Sequence, residues 1–172
     1  MTDIPDCKKA QTKALEILDQ FGYTSPPVDP VKIARDLGIR VFFADFKDED
    51  DKISGFFFAE KNEIYINKHE YPQRQTFTIA HELGHKFLHE DWLKSSDYKV
   101  VFRTSLLSIY DGDNEHKKDS KEVEADTFAA NLLVPRFMLD QYHKFASTEE
   151  LAKLFMVSMP AIRNRLKFEY GK

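Results

Sequence analysis

Two histidines four residues apart bracket a glutamate in the run His81-Glu82-Leu83-Gly84-His85. On an α-helix, residues at that spacing lie one above the other on a single face. Both imidazoles can then reach one metal ion, and the glutamate beside the first histidine is set to act as general base on a metal-activated water. The chemistry in view is zinc-assisted hydrolysis. The pentapeptide alone is short enough to arise by chance, so the rest of the chain has to supply what such a centre still lacks.

A catalytic zinc centre takes three protein ligands and keeps a fourth position open. Extending the motif with a glycine and a third histidine fails, because the positions concerned are Leu88 and Asp91. His89 lies two turns from His81, about 12 Å of helix rise, and cannot close around the same ion. A supporting or structural role suits it better. The downstream run Glu122-Val123-Glu124-Ala125-Asp126 offers a carboxylate ligand and, four residues on, a second carboxylate able to orient a ligand histidine. Glu122 is the favoured ligand and Asp126 the orienting partner, because they share a helix face with Ala125, Ala129 and Leu132, which would dock this helix on the first. Glu124 stays open as the competing ligand. A tetrahedral oxyanion needs a further donor, for which His89, Tyr98, Tyr110 and His116 are candidates that spacing does not rank.

The elements that must position these groups follow from periodicity and punctuation. Asp6 to Phe21 has a helical apolar stripe ended by Gly22, and Val31 to Leu37 makes a short helix closed by Gly38. Ile39–Ala44, Ile53–Ala59 and Glu63–Asn67 read as strands, the last two around a turn at Lys61-Asn62, forming a small antiparallel sheet. The acidic stretch Asp45 to Lys52 is a loop. Pro72 suits the first turn of the helix that carries the paired histidines to about His89. Asp91 to Asn114 is the least regular part, with one apolar piece near Val100 to Ile109. Glu122 to Val134 is a strong helix stopped by Pro135, and Leu139 to Phe145 a short one. Ser147-Thr148-Glu149-Glu150 is a capping-box start for another helix, and Ser158 caps a last one.

The chain has 172 residues, a net charge of −4 and a single cysteine, Cys7. That length bounds one main domain with a sizeable core, and one cysteine excludes an intrachain disulfide. No apolar run is long enough to span a membrane, and the amino terminus lacks the pattern of a secretory signal, so a cytoplasmic protein is expected. The acidic balance argues against a dedicated nucleic-acid binder. The tail from Lys144 to Lys172 runs the other way: Lys144, Lys153, Arg163, Arg165, Lys167 and Lys172 outnumber Glu149, Glu150 and Glu169. With Leu151 to Phe155 and Ala161 to Leu166 it has a helix-turn-helix look. The division expected is a catalytic domain over 1–143 and a C-terminal helical cap over 144–172. No coiled-coil heptad is present, so a monomer is expected.

Both motifs together, His81-Glu82-Leu83-Gly84-His85 and Glu122-Val123-Glu124-Ala125-Asp126-Thr127-Phe128-Ala129-Ala130 followed by Leu132-Leu133-Val134-Pro135, resemble the ImmA/IrrE family of metallopeptidases. That family's signature is H-E-[LI]-[GA]-H, then E-x-x-A-[ND]-x-F-A-x-x-L-L-x-P. A weaker resemblance runs over roughly 28–168. Lys86 and Val134 depart from the commoner residues, and neither removes a ligand. The resemblance implies an α+β, zincin-like core with helices packed on the small sheet, a Zn2+ cofactor held by His81, His85 and Glu122, and Glu82 as general base. For phage and mobile-element members it further implies site-specific cleavage of a helix-turn-helix repressor, an anti-repressor role. The competing reading is a DNA-binding or repressor-binding regulatory module without proteolysis.

Overall fold

The computed structural model describes residues 4–46, 54–94 and 119–171. Helix α1 (Cys7–Gln20) starts where the Asp6 carboxylate accepts from the Lys9 backbone N–H, and it buries Ala10, Ala14, Ile17 and Leu18. Helix α2 (Pro30–Asp36) starts on Asp29, whose side chain accepts from Val31 and Lys32, with Pro30 in the first turn. The turn after it uses Gly38 at φ 72°, a left-handed position where a glycine carries no steric penalty.

Strand β1 (Arg40–Ala44), strand β2 (Gly55–Phe58) and strand β3 (Glu63–Asn67) form one sheet in the order β1-β3-β2. β2 and β3 pair antiparallel, Phe56 opposite Tyr65, across the turn that the sequence places at Lys61-Asn62. β1 pairs parallel with β3, Phe42 opposite Tyr65. The sheet is therefore mixed, and the expectation of an antiparallel sheet is corrected for this strand. The reason is connection length: a tight turn joins β2 to β3, whereas the link from Ala44 to Gly55 is long enough to take the chain past β3's far edge. Ile64 and Ile66 are buried beneath the sheet while Tyr65 stacks between Phe42 and Phe56 on the other face, at 5.3 and 5.2 Å between ring centroids.

Helix α3 (Pro72–Leu88) packs under the sheet, and the short helix α4 (Glu90–Leu93) turns back from its end. Helix α5 (Ser120–Leu133) lies against both α1 and α3. Its start is capped by Asp119, whose side chain accepts from Lys121. Pro135 ends it and at once begins helix α6 (Arg136–Leu139), because its fixed φ of −69° suits a position just outside a first turn. The short helix expected over Leu139–Phe145 is thus placed earlier, and 140–145 form turns. Helix α7 (Thr148–Phe155) carries the capping box read from the sequence, with Ser147 and Glu150 exchanging bonds, and Ser158 caps helix α8 (Met159–Tyr170).

One apolar cluster joins α1 through α8, from Ala14 and Leu18 through Ile66, Leu83 and Phe128 to Leu151, Phe155 and Ile162. The apolar piece near Val100 to Ile109 and most of the acidic stretch after Phe46 lie outside the described residues. No helix of the described residues is long and apolar enough to cross a membrane.

Candidate metal centre

Helix α3 faces α5 with polar groups set into an apolar surface. His81, Glu82 and His85 are all buried there, next to the apolar Leu83. What lets α5 come near is Gly84: a Cβ at that position would sit 3.1 Å from the Ala125 Cα and 3.1 Å from its carbonyl oxygen. The side chains on the first turns of α5 are thereby brought over the histidines.

His81 Nε2 and His85 Nε2 lie 3.0 Å apart. Glu122 reaches both, at 3.5 Å from His81 Nε2 and 3.1 Å from His85 Nε2. Four tetrahedral ligands at zinc bond lengths of about 2.0–2.1 Å sit about 3.3 Å from one another, so these separations fit a single small cation. Among the described residues, His81, His85 and Glu122 are the group whose ligand atoms gather closely enough to hold a metal.

The outer nitrogens of the two histidines are held as well. His81 Nδ1 lies 2.7 Å from Asp126 Oδ1. A carboxylate only accepts, so Nδ1 carries the proton and the neutral ring presents the lone pair of Nε2 to the metal position. His85 Nδ1 lies 3.0 Å from His89 Nδ1, and His89 Nε2 lies 2.8 Å from Glu124 Oε2. The other Glu124 oxygen accepts the Asp6 backbone N–H at 2.8 Å, which ties the start of α1 to this end of the site. Burial pushes the Glu124 carboxyl up, but its hydrogen bonds with His89 and Asp6 outweigh that and hold it below the usual carboxylate value.

Trp92 on α4 closes the apolar wall, its ring 5.3 Å from that of His85. The His89 ring lies 6.3 Å from the Trp92 ring, and the Lys121 Nζ stands 5.7 Å from the indole centroid. On the outer side of α4, hydrogen bonds from Lys94 and Lys86 hold the exposed Glu90 carboxyl down to about 2.

The residues singled out from sequence spacing therefore sort themselves. His81, His85 and Glu122 converge, Asp126 meets His81, and Glu124 turns to His89 instead of the paired histidines. His89 has both ring nitrogens engaged, one with His85 and one with Glu124. Tyr98, Tyr110 and His116 lie outside the described residues. Trp92 and the Asp6 backbone N–H were not anticipated: the first belongs to a segment without periodicity, and a main-chain donor has no signature in residue type.

The basic tail is also rearranged. Arg163 is exposed, but Arg165 is buried, with Nε donating to the Val134 carbonyl and Nη2 2.7 Å from Glu169 Oε1. One cation that a nucleic-acid reading would use is spent on internal contacts.

A mixed three-stranded sheet over a histidine-bearing helix, with a glutamate delivered from a second helix, defines the architecture. The sequence matches the family model described as the IrrE N-terminal-like domain over residues 34–167. The chain belongs to this family, that of the ImmA/IrrE metallopeptidases. It is 37% identical over 97 residues to the metallopeptidase ImmA of Bacillus subtilis (strain 168), covering 55% of this chain and 48% of that protein. It is 33% identical over 93 residues to an uncharacterized immunity region protein 2 of Bacillus phage phi105, covering 53% of this chain and 51% of that one. The chain thus matches about half the length of these curated relatives. A solved Mycobacterium tuberculosis transcriptional regulator superposes with a TM-score of 0.63 over 92% of this chain and 46% of that one. At 18% identity, that likeness is one of fold alone.

Proposed function

We propose that this chain is a zinc-dependent endopeptidase of narrow range that cleaves a helix-turn-helix transcriptional repressor in the cytoplasm. The observation that carries the activity is the convergence of His81 Nε2, His85 Nε2 and the Glu122 carboxylate at mutual separations of 3.0, 3.1 and 3.5 Å. Two imidazoles and one carboxylate are the donor set of a hydrolytic zinc site, and the pair at Asp126 and His81 is the support such ligands require.

Zinc held there would supply Lewis acidity, polarising a peptide carbonyl and lowering the pKa of water towards neutrality. Glu82, one residue after His81 and fully buried on the same helix, takes the proton from the attacking water. As the new C–O bond forms and the C–N bond breaks, it passes that proton to the departing amine. The extended substrate lies along a sheet edge, with main-chain bonds giving affinity and side-chain pockets giving choice. β2 suits this: it is an edge strand, and it lies against the histidine helix, where a Cβ on Gly55 would sit 2.8 Å from the side chain of Thr78, three residues before His81. The repressor as substrate is supported by the family and by the phage immunity region relative.

The test is Glu82→Gln, which keeps the ligands and removes the base. One equivalent of zinc should remain while cleavage of a co-expressed cognate repressor disappears, read as fragments on a gel. Full cleavage by that variant would sink the proposal. A native chain that takes up no metal would do the same.

A further inference from the structure

The conserved logic of a metal-bound imidazole is that its outer nitrogen must be held, and the two histidines of this centre are held in different ways. His81 meets its carboxylate directly, at Asp126. His85 has a second imidazole in between. His89 stands one turn further along, at the C-cap of α3 with φ −133°, and is buried to within 9% of full coverage. Its Nδ1 faces His85 Nδ1 at 3.0 Å and its Nε2 faces Glu124 Oε2 at 2.8 Å. The carboxylate accepts, so His89 Nε2 carries a proton. A neutral His89 then accepts through Nδ1, so His85 Nδ1 is the donor and His85 Nε2 is left with its lone pair towards Glu122. Every proton in the series points the same way, and the other oxygen of Glu124 accepts from the Asp6 N–H at 2.8 Å.

We propose that His89 and Glu124 are positioning residues of the metal centre, a two-step relay that fixes the tautomer and ring orientation of His85, and that neither is a ligand. This rests on the zinc reading above. Glu124 is the residue that α5 could equally have offered to the metal. Its commitment to His89 and to the start of α1 leaves Glu122, one turn before Asp126, as the carboxylate over the paired histidines. The relay also makes α1 a part of the site's support, through a main-chain donor that no side-chain substitution removes.

Zinc affinity of the full chain, measured by competition with a chromophoric chelator, tests this alongside metal content per chain. Glu124→Gln, Glu124→Ala and His89→Phe should each retain one equivalent and bind zinc about 10–100-fold more weakly. His89→Phe fills the same space without either hydrogen bond, so packing alone cannot account for its loss. The double variant His89→Phe/Glu124→Ala should bind no more weakly than the weaker single one, because both act through one path. In long-range proton–nitrogen spectra of the zinc-loaded native chain, the His85 ring proton should sit on Nδ1, and the His89→Phe variant should lose the shift that marks its hydrogen bond.

Unchanged affinity in the single variants overturns the relay, as do additive losses in the double one. Loss of all zinc in Glu124→Ala, matching Glu122→Ala, would make Glu124 a ligand and overturn it too. In each of those cases the native chain still binds zinc and the peptidase reading stands. A native chain that binds none removes both.

Discussion

At the scale of single residues, the centre depends on atoms that never touch the metal position. The lone pair that His81 presents depends on where its proton is kept, and the 2.7 Å contact with Asp126 keeps it on Nδ1. Asp126→Ala should therefore leave one equivalent of zinc per chain but weaken its affinity about 10–100-fold, measured by chelator competition. Native affinity in that variant would show that ring orientation comes from packing alone. The spacing of Glu122 and Asp126 is legible because four residues make one helical turn, so ligand and support arrive together. The Glu124–His89 pair was less so. It depends on where α3 stops, and helix ends are set by caps and neighbours as much as by periodicity.

At the scale of elements, the contact that matters most is α3 against α5 at Gly84. Two of the three atoms a Cβ would meet there, at 3.1 Å, belong to the Ala125 backbone, which lies between Glu122 and Phe128 on the same helix. An alanine would gain about 1 kcal/mol of helix propensity and lose a comparable amount to the forced separation. Gly84→Ala should accordingly shift the urea midpoint little while weakening zinc binding at least several-fold, because α5 moves as a unit and takes Glu122 with it. Equal affinity in the variant would mean that the Phe128 ring alone absorbs the strain. Both helices are legible in the periodicity of the residues, and nothing in that pattern singles out Gly84. Its purpose is visible only with the second helix in place.

At the scale of the whole molecule, the C-terminal helices are fastened to the helix that carries Glu122. Arg165 on α8 donates to the Val134 carbonyl at 3.0 Å and to Asn131 Oδ1 at 3.1 Å, and pairs with a Glu169 side chain that is only 5% exposed. Removing the guanidinium leaves the buried Glu169 carboxylate to Arg136, 3.6 Å away, and takes the donor from two acceptors at the end of α5. Arg165→Ala should cost about 3–5 kcal/mol of stability by urea unfolding. Arg165→Met/Glu169→Leu, which removes both charges and keeps the volume, should recover most of it. Zinc stoichiometry should survive in both, since the metal position lies at the other end of α5. Loss of zinc without loss of stability would place the coupling elsewhere.

What was legible in the residues was local. Helix starts near Asp6 and Val31 and at Ser147 and Ser158, the strand segments, and the pairing of motifs all rest on interactions within about four residues, and these are written in residue order. The α+β class and the family followed from them. The parallel seat of β1 was decided only by the folded chain, because pairing sense follows from how β1 is brought beside β3 from far along the sequence, which no local residue pattern encodes. The same holds for which of Glu122 and Glu124 stands over the paired histidines, since their two-residue offset, about 200° around α5, counts only against a second helix. Arg165 makes the point from the other side. Its type announces a solvent-exposed cation, and burial against Asn131 and Val134, contacts across more than thirty residues, turns it into a clamp.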